Sequence, residues 1–165
     1  MKQVSEEALL GAVICLSAPR PEKDSEQDKD SEQEKEKEKE KEKQKDVPIG
    51  ILKLSRLSPE LSHHRNTELG IDILPAYQGR GYGREAIEWA LEYAFVRVGL
   101  HRMSVRAFEW NEGAVRLYQR IGFKVEGRMR EELWHAGRWW DGVELGMLEG
   151  EWRELREKKD LEEGR

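Results

Sequence analysis

The fold is decided by one stretch, Leu69-Gly-Ile-Asp-Ile-Leu-Pro-Ala-Tyr-Gln-Gly-Arg-Gly-Tyr-Gly-Arg-Glu-Ala-Ile87, which predicts a strand, a glycine-rich turn and a helix in direct succession. Leu69, Ile71 and Ile73 alternate with small or charged residues, which is the period of a strand with one buried face. Pro75 ends this strand, because proline cannot donate a hydrogen bond to a sheet. Beyond the turn, apolar residues recur at helical spacing and form one stripe: Ala86, Ile87, Ala90, Leu91, Ala94, Phe95 and Val98.

The order strand, glycine turn, helix is suited to binding phosphate. The first N–H groups of a helix have no partner within the helix, and the helix dipole adds partial positive charge at that end. Glycines let the backbone approach a ligand closely, and the guanidinium groups of Arg80 and Arg84 match phosphate oxygens. Alone, the glycines would indicate only an ordinary turn; between this strand and this helix they predict a pyrophosphate site.

The spacing of the glycines distinguishes between phosphate ligands. The dinucleotide motif requires glycine or alanine where Arg84 stands, and the ATP-binding loop requires a Gly-Lys-Ser/Thr sequence that is absent. The spacing that is present is Gln-x-x-Gly-x-Gly, at Gln78, Gly81 and Gly83. It resembles the acetyl-coenzyme A loop of the GNAT superfamily of N-acetyltransferases.

A second stretch strengthens this resemblance. Asn111-Glu-Gly-Ala-Val-Arg-Leu-Tyr-Gln-Arg-Ile-Gly-Phe123 resembles another hallmark of the same superfamily, an Asn followed by Leu-Tyr and Gly-Phe. The continuation, Glu126–Arg130 and then Gly137–Asp141, is similar to the branch that includes ribosomal-protein N-terminal acetyltransferases. The resemblance extends roughly from Leu9 to Trp152 and is strongest from Glu68 to Met147.

The resemblance implies an α/β fold with a mixed sheet, in which two central parallel strands, Thr67–Leu74 and Arg102–Trp110, splay apart and admit the pantetheine arm. Acetyl-coenzyme A is then the co-substrate, and no metal is expected. The backbone of the first splayed strand, the glycine loop and the later Asn would bind it: Ile71, Ile73, Gln78, Gly79, Arg80, Gly81, Tyr82, Gly83, Arg84 and Asn111.

The family's usual chemistry is direct attack of an amine on the thioester. A lysine-type amine has a pKa of about 10.4, so a base must remove its proton. By resemblance Glu68 is that base, and Tyr118 is the acid that protonates the departing thiolate. Each has a plainer interpretation: Glu68 as a surface carboxylate beside a loop, and Tyr118 as a core tyrosine.

The charges of the chain are concentrated in one tract. Glu22–Asp46 holds twelve acidic residues and eight lysines, with no aliphatic or aromatic residue, and accounts for most of the net charge of −5. We expect a single N-acetyltransferase domain made of residues 1–21 and 47–165, with 22–46 as a low-complexity insert in a hairpin loop between strands Leu9–Leu16 and Ile49–Leu57. The insert is expected to be a plain spacer, either a surface loop or a solvated helix, with a docking tract as the alternative.

The second half of the chain predicts the rest of the fold. The expected elements are a helix capped by Asn111 and ended by Gly122, strands at Phe123–Arg130 and Val143–Leu148, a hairpin turn at Ala136-Gly137, and a charged terminal helix over Glu151–Glu163.

The remaining features narrow the class of protein. Cys15, the single cysteine, lies in an apolar run and is expected in the core rather than as a nucleophile. It indicates a reducing compartment, the cytoplasm, with the nucleus not excluded. No stretch predicts a membrane span or a signal peptide, the paired His63 and His64 lack the neighbours of a metal site, and no basic face indicates nucleic acid. A homodimer is compatible with the sequence.

One departure from the family concerns the acceptor. Family members usually begin with a strand and two helices that build one wall of the acceptor cleft, whereas this chain opens on what resembles the second strand. The resemblance favours a protein N-terminus as the amine acceptor, with a small polyamine or drug-like amine as the alternative. The rival function is a catalytically disabled acetyl-coenzyme A-binding or interaction module with the same fold.

Overall fold

The structure is a computed structural model, and it describes residues 8–16, 46–162 and 164. Apart from Asp46, the charged tract lies outside the described residues, so the division of the chain into one domain and an insert stays a prediction. The described residues form six strands and three α-helices: β1 (Ala8–Leu16), β2 (Val47–Ser55), β3 (Asn66–Ile73), α1 (Tyr82–Glu92), β4 (Arg102–Phe108), α2 (Glu112–Ile121), β5 (Lys124–His135), β6 (Arg138–Leu148) and α3 (Glu149–Glu162).

The strands form one mixed sheet in the order β1-β2-β3-β4-β6-β5. β3 and β4 are parallel and are joined by the crossover through α1, while every other neighbouring pair is antiparallel. The predicted hairpin of β1 and β2 is confirmed, and so is the α/β class with its mixed sheet.

The hydrophobic core lies on one face of this sheet. Alternate residues of the central strands are buried there with residues of α1 and α2, and the partly buried Trp152 of α3 packs against them, because a strand presents every second side chain to the same face. The buried strand residues are Leu52, Leu54, Leu69, Met103, Val105, Ala107, Val143, Leu145 and Met147. On the opposite face lie charged and small residues, among them Glu68, Asp72 and Arg106, and none of the described helices covers them.

The helix ends follow the predicted signals. The Asn111 side chain accepts a hydrogen bond from the N–H of Ala114 at 3.1 Å and so caps α2, and Gly122 ends α2 with a φ of 118°. In α3, Trp152 packs against Phe95 with a ring separation of 5.6 Å, which anchors the charged helix to the core. The last turn of the central helix was not predicted: after Glu92 it widens into a π-helix over Tyr93–Arg97.

One expectation is wrong, and one strand is longer than expected. Cys15 is exposed, because β1 is the edge strand and this side chain points away from the packed face, so an apolar run did not guarantee burial. The strand expected at Val143–Leu148 begins five residues earlier, at Arg138, because the hairpin turn at Ala136 and Gly137 returns directly into the ladder. Both turn residues have positive φ, of 48° and 80°, as this type of tight hairpin requires. Within the described ranges, no helix is both long and apolar enough to span a bilayer.

Candidate active site

The two central parallel strands separate part-way along their length. Register pairs join β3 to β4 from Asn66 with Arg102 as far as Leu69 with Val105, and then stop. Both strands continue, to Ile73 and to Phe108. The expected splay is therefore confirmed, with strand ends at Ile73 and Phe108 rather than at Leu74 and Trp110.

The backbone of β3 faces this split at Ile71 and Ile73. The N–H of Leu74 donates to the carbonyl of Ile49 in β2 at 2.8 Å, so Leu74 faces the other way. Successive residues of a strand alternate between its two edges, which turns the N–H and C=O groups of Ile71 and Ile73 toward β4. The Gln78 side chain confirms this direction, since its Nε2 donates to the carbonyl of Ile73 at 2.8 Å. Apart from the Ile73 carbonyl, which Gln78 occupies, these are backbone groups that an extended amide chain could pair with, as a peptide pairs with a sheet edge.

The glycine loop lies directly after the end of β3. Gly79 and Gly81 have φ values of 72° and 92°, in the region that favours glycine. A Cβ on either residue would meet no protein atom within 4 Å, so the loop surrounds open space. The first bond of the central helix runs from the N–H of Glu85 to the carbonyl of Gly81, and no side chain caps this end. The preceding N–H groups are therefore available to an anion.

The charged side chains of this loop differ in their contacts. Arg84 pairs with Glu88 one turn later at 2.9 Å, and Arg80 lies over the ring of Tyr77 at 5.8 Å. Both side chains lie on exposed positions at the start of α1. Asn111 is also exposed and its Oδ1 is used for capping, which leaves its amide NH₂ for a ligand.

Tyr118 points from α2 into the core and is 6% exposed. Its ring meets Phe123 edge to face at 5.9 Å. Burial, and to a lesser degree the nearby Asp72 carboxylate, raise the pKa of the Tyr118 hydroxyl above its usual value of 10.0. The hydroxyl is therefore protonated at neutral pH, in the form that can donate a proton.

Glu68 lies on the opposite face of the sheet from Tyr118. Its register partner is Ser104, one residue before the last pair of the parallel ladder, so its carboxylate lies at the point where the split opens. The carboxylate is 44% exposed and its Oε1 is 3.5 Å from Nη2 of Arg106. The structure therefore places a carboxylate near the closed end of the split, while the Tyr118 phenol lies on the core side of the sheet.

Sequence reasoning missed Arg106. It belongs to no motif of the resemblance, and strand periodicity could only place its side chain on the face away from the core. Its contact with Glu68 depends on the pairing of β3 with β4, which local sequence does not encode. Among the described residues, no group of three or more His, Cys, Asp and Glu side chains could hold a metal ion.

A split between parallel strands, followed by a glycine loop on a helix N-terminus, is a geometry suited to an extended ligand that ends in a phosphate. The sequence profile of the acetyltransferase (GNAT) family matches residues 13–123. This chain belongs to that family.

The most informative relatives carry more specific names. The chain is 36% identical over 89 residues to a spermidine N(1)-acetyltransferase of Vibrio cholerae, covering 54% of this chain and 51% of that one. It is 33% identical over 89 residues to a putative ribosomal N-acetyltransferase of Bacillus subtilis, covering 54% and 49%. A dodecameric structure of spermidine N-acetyltransferase from Vibrio cholerae superposes with a TM-score of 0.60 at 32% identity, covering 67% and 61%. The chain spans about half the length of the curated relatives it matches.

Proposed function

We propose that this chain transfers the acetyl group of acetyl-coenzyme A to a primary amine. The observation that carries the proposal is the split between β3 and β4 with the glycine loop at its open end. The backbone of Ile71 and Ile73 would hold the pantetheine amides, and the N–H groups at the start of α1 would hold the pyrophosphate with Arg80 and Arg84. When bound, acetyl-coenzyme A supplies an activated thioester.

The two ionisable groups beside the split suit the two proton transfers of this reaction. The amine nitrogen forms a bond to the acetyl carbon, and the bond from that carbon to sulfur breaks. Glu68 would take the proton that the amine must lose, directly or through water, and the Tyr118 hydroxyl would give a proton to the departing thiolate. No covalent intermediate on the protein is needed, which agrees with Cys15 lying on the edge strand away from the split.

For the acceptor we propose a small polyamine. The relatives from Vibrio cholerae are named for spermidine, which favours a polyamine over the protein N-terminus that the ribosomal-type resemblance favoured. The charge on the uncovered face is consistent with a cationic acceptor, because Glu68 and Asp72 both lie on that face at the split.

A panel of amines tests this function. Free thiol release from acetyl-coenzyme A would be followed with spermidine, a diamine, a monoamine of equal length and a peptide with a free N-terminus, and calorimetry would measure coenzyme A binding in parallel. We expect turnover that is fastest with the polyamine. Coenzyme A binding without acetylation of any amine would instead support the catalytically disabled binding module. Absence of coenzyme A binding would contradict both the acetyltransferase and the binding module.

A further inference from the structure

Arg106 contacts two carboxylates on the uncovered face, not one. Its Nη2 lies 3.5 Å from Oε1 of Glu68, and its Nη1 lies 3.8 Å from Oε1 of Glu132 in β5. The three side chains are between a third and just over half exposed. One arginine thus bridges two acids from strands that lie on either side of it in the sheet, and the group keeps one net negative charge.

The position of Glu132 depends on the surrounding backbone. The ladder between β5 and β6 is irregular between Met129 and Leu133, and Glu131 within this bulge has a φ of 54°. The N–H of Glu131 donates to Oδ1 of Asp141 at 3.0 Å, and the N–H of Asp141 donates to Oε2 of Glu109 at 3.1 Å. Arg128 lies within 4 Å of both of those carboxylates. The bulge is therefore held in a fixed form by side chains outside the split.

A glycine makes room for the Glu132 carboxylate. The carboxylate lies across Gly142 of β6, and a Cβ at that position would collide with it. The same arrangement occurs at the other end of the strand, where Glu126 lies across Gly146 and pairs with Arg102. Only the first arrangement reaches Glu68 and the split, so the second provides a natural control.

Because of this arrangement, we infer that Glu132 and Arg106 are positioning residues that hold the Glu68 carboxylate at the mouth of the split. Arg106 restricts the orientations of an otherwise exposed carboxylate, which raises the fraction of time that it faces the attacking amine. Glu132 draws the guanidinium partly away from Glu68, so that Glu68 is oriented without being fully neutralised. The inference rests on the proposed function, since it assigns Glu68 as the base.

The contacts are long and partly exposed, which sets the size of the expected effect. Exposed ion pairs contribute little individually, so Glu132→Gln should lower kcat by about threefold to tenfold. Gly142→Ala should do the same, since its new methyl group displaces the carboxylate. Arg106→Gln should lower kcat by about tenfold or more, and Arg106→Lys should restore part of it. The KM for acetyl-coenzyme A should stay unchanged in all four variants.

A double-mutant cycle between Glu68→Gln and Glu132→Gln tests the inference, with spermidine as acceptor and thiol release as the readout. If Glu132 acts through Glu68, its substitution should have little further effect once Glu68 is replaced. Glu126→Gln and Gly146→Ala are the matched controls and should keep the wild-type kcat.

Additive effects in the cycle, or equal losses in the control variants, would overturn the positioning role while leaving the acetyltransferase proposal intact. A wild-type chain that binds coenzyme A and acetylates no amine would overturn both, so the two failures are distinguishable.

Discussion

At the scale of single residues, Tyr118 is the one whose substitution should lower kcat the most. If its hydroxyl protonates the leaving thiolate, Tyr118→Phe should lower kcat by roughly 10²–10⁴-fold, the usual scale of general acid catalysis. Coenzyme A affinity should change little, because the phenyl ring still packs against Phe123. Steady-state kinetics and calorimetry on the same variant would separate the two quantities.

The control for this prediction is Tyr93→Phe. Tyr93 stacks on Trp89 in the π-helix, away from the split, so loss of its hydroxyl should leave kcat unchanged. Comparable losses in both variants would mean that the hydroxyl of Tyr118 has no special role.

A substitution at Gly81 tests whether the glycine loop binds phosphate, because it can add a single methyl group there. Gly81→Ala places a Cβ in the open space of the loop and forces a non-glycine residue into a φ of 92°, at a cost of about 1–2 kcal/mol. We expect coenzyme A affinity to fall by about tenfold or more, since the methyl group occupies the space of the phosphate. Gly99→Ala isolates the strain, because Gly99 also has a positive φ, of 72°, and open surroundings. If both variants lose stability but neither loses affinity, the phosphate does not bind this loop.

At the scale of elements, α3 depends on a carboxylate near its start. The N–H of Leu148 donates to Oε2 of Glu151 at 3.0 Å, and Lys124 pairs with the same carboxylate. The Leu148 amide, followed by Lys124, lowers the pKa of Glu151 below its usual value of 4.5. A lowered folded-state pKa means that this stabilisation is present above pH 4.5 and is lost as the pH falls through the folded-state value.

Glu151→Gln should therefore destabilise the chain by about 0.5–1 kcal/mol at neutral pH, with the difference from wild type disappearing once the pH falls below the folded-state pKa of Glu151. Denaturant unfolding at a series of pH values measures this directly. Glu157→Gln, farther along α3, should show no such pH dependence. A constant difference at every pH would show that the Glu151 charge is not the cause.

Strands and helices were predicted correctly where the residues that cause them are neighbours in the sequence. The alternation of Leu69, Ile71 and Ile73 marked β3, and Asn111 and Gly122 marked both ends of α2, because periodicity and capping are properties of neighbouring residues. Cys15 was misplaced for the complementary reason. An apolar run shows that a strand forms, but which of its side chains is buried depends on what packs on each face of the sheet.

The residues of the candidate site also fall into two groups, those that local sequence predicts and those that depend on how the strands pair. The loop from Gln78 to Arg84 was predicted from its glycine spacing and the resemblance that this spacing carries, and Tyr118 from a motif of the same resemblance within one helix. The bridge from Glu68 through Arg106 to Glu132 could not, since it joins three strands far apart in sequence. The positions of Glu68 and Tyr118 on opposite faces likewise required the sheet order.

At the scale of the whole molecule, we predict that the charged tract 22–46 can be removed without destabilising the fold. Its ends join β1 and β2, which pair as an antiparallel hairpin, and loop closure entropy changes only slowly with loop length. Deleting residues 22–46 and closing the hairpin with a short turn should leave the melting temperature unchanged or slightly raised, as calorimetry would show. A marked fall in melting temperature would mean that the tract packs on the domain.

The split also determines how the sheet behaves mechanically. Strands β1, β2 and β3 form one half of the sheet and strands β4, β6 and β5 the other, and the ladder between the halves consists of only four register pairs. This ladder has the fewest register pairs in the sheet of the described residues, so we expect any relative motion of the two halves to centre on the line from Leu69 to Val105. Amide protons of Ile71 and Ile73 should exchange with solvent quickly for positions in the middle of a sheet, and should become protected when coenzyme A bridges the halves. A bound ligand would then connect the two halves and restrain their relative motion. Slower amide hydrogen exchange at residues that do not touch the ligand would detect this restraint.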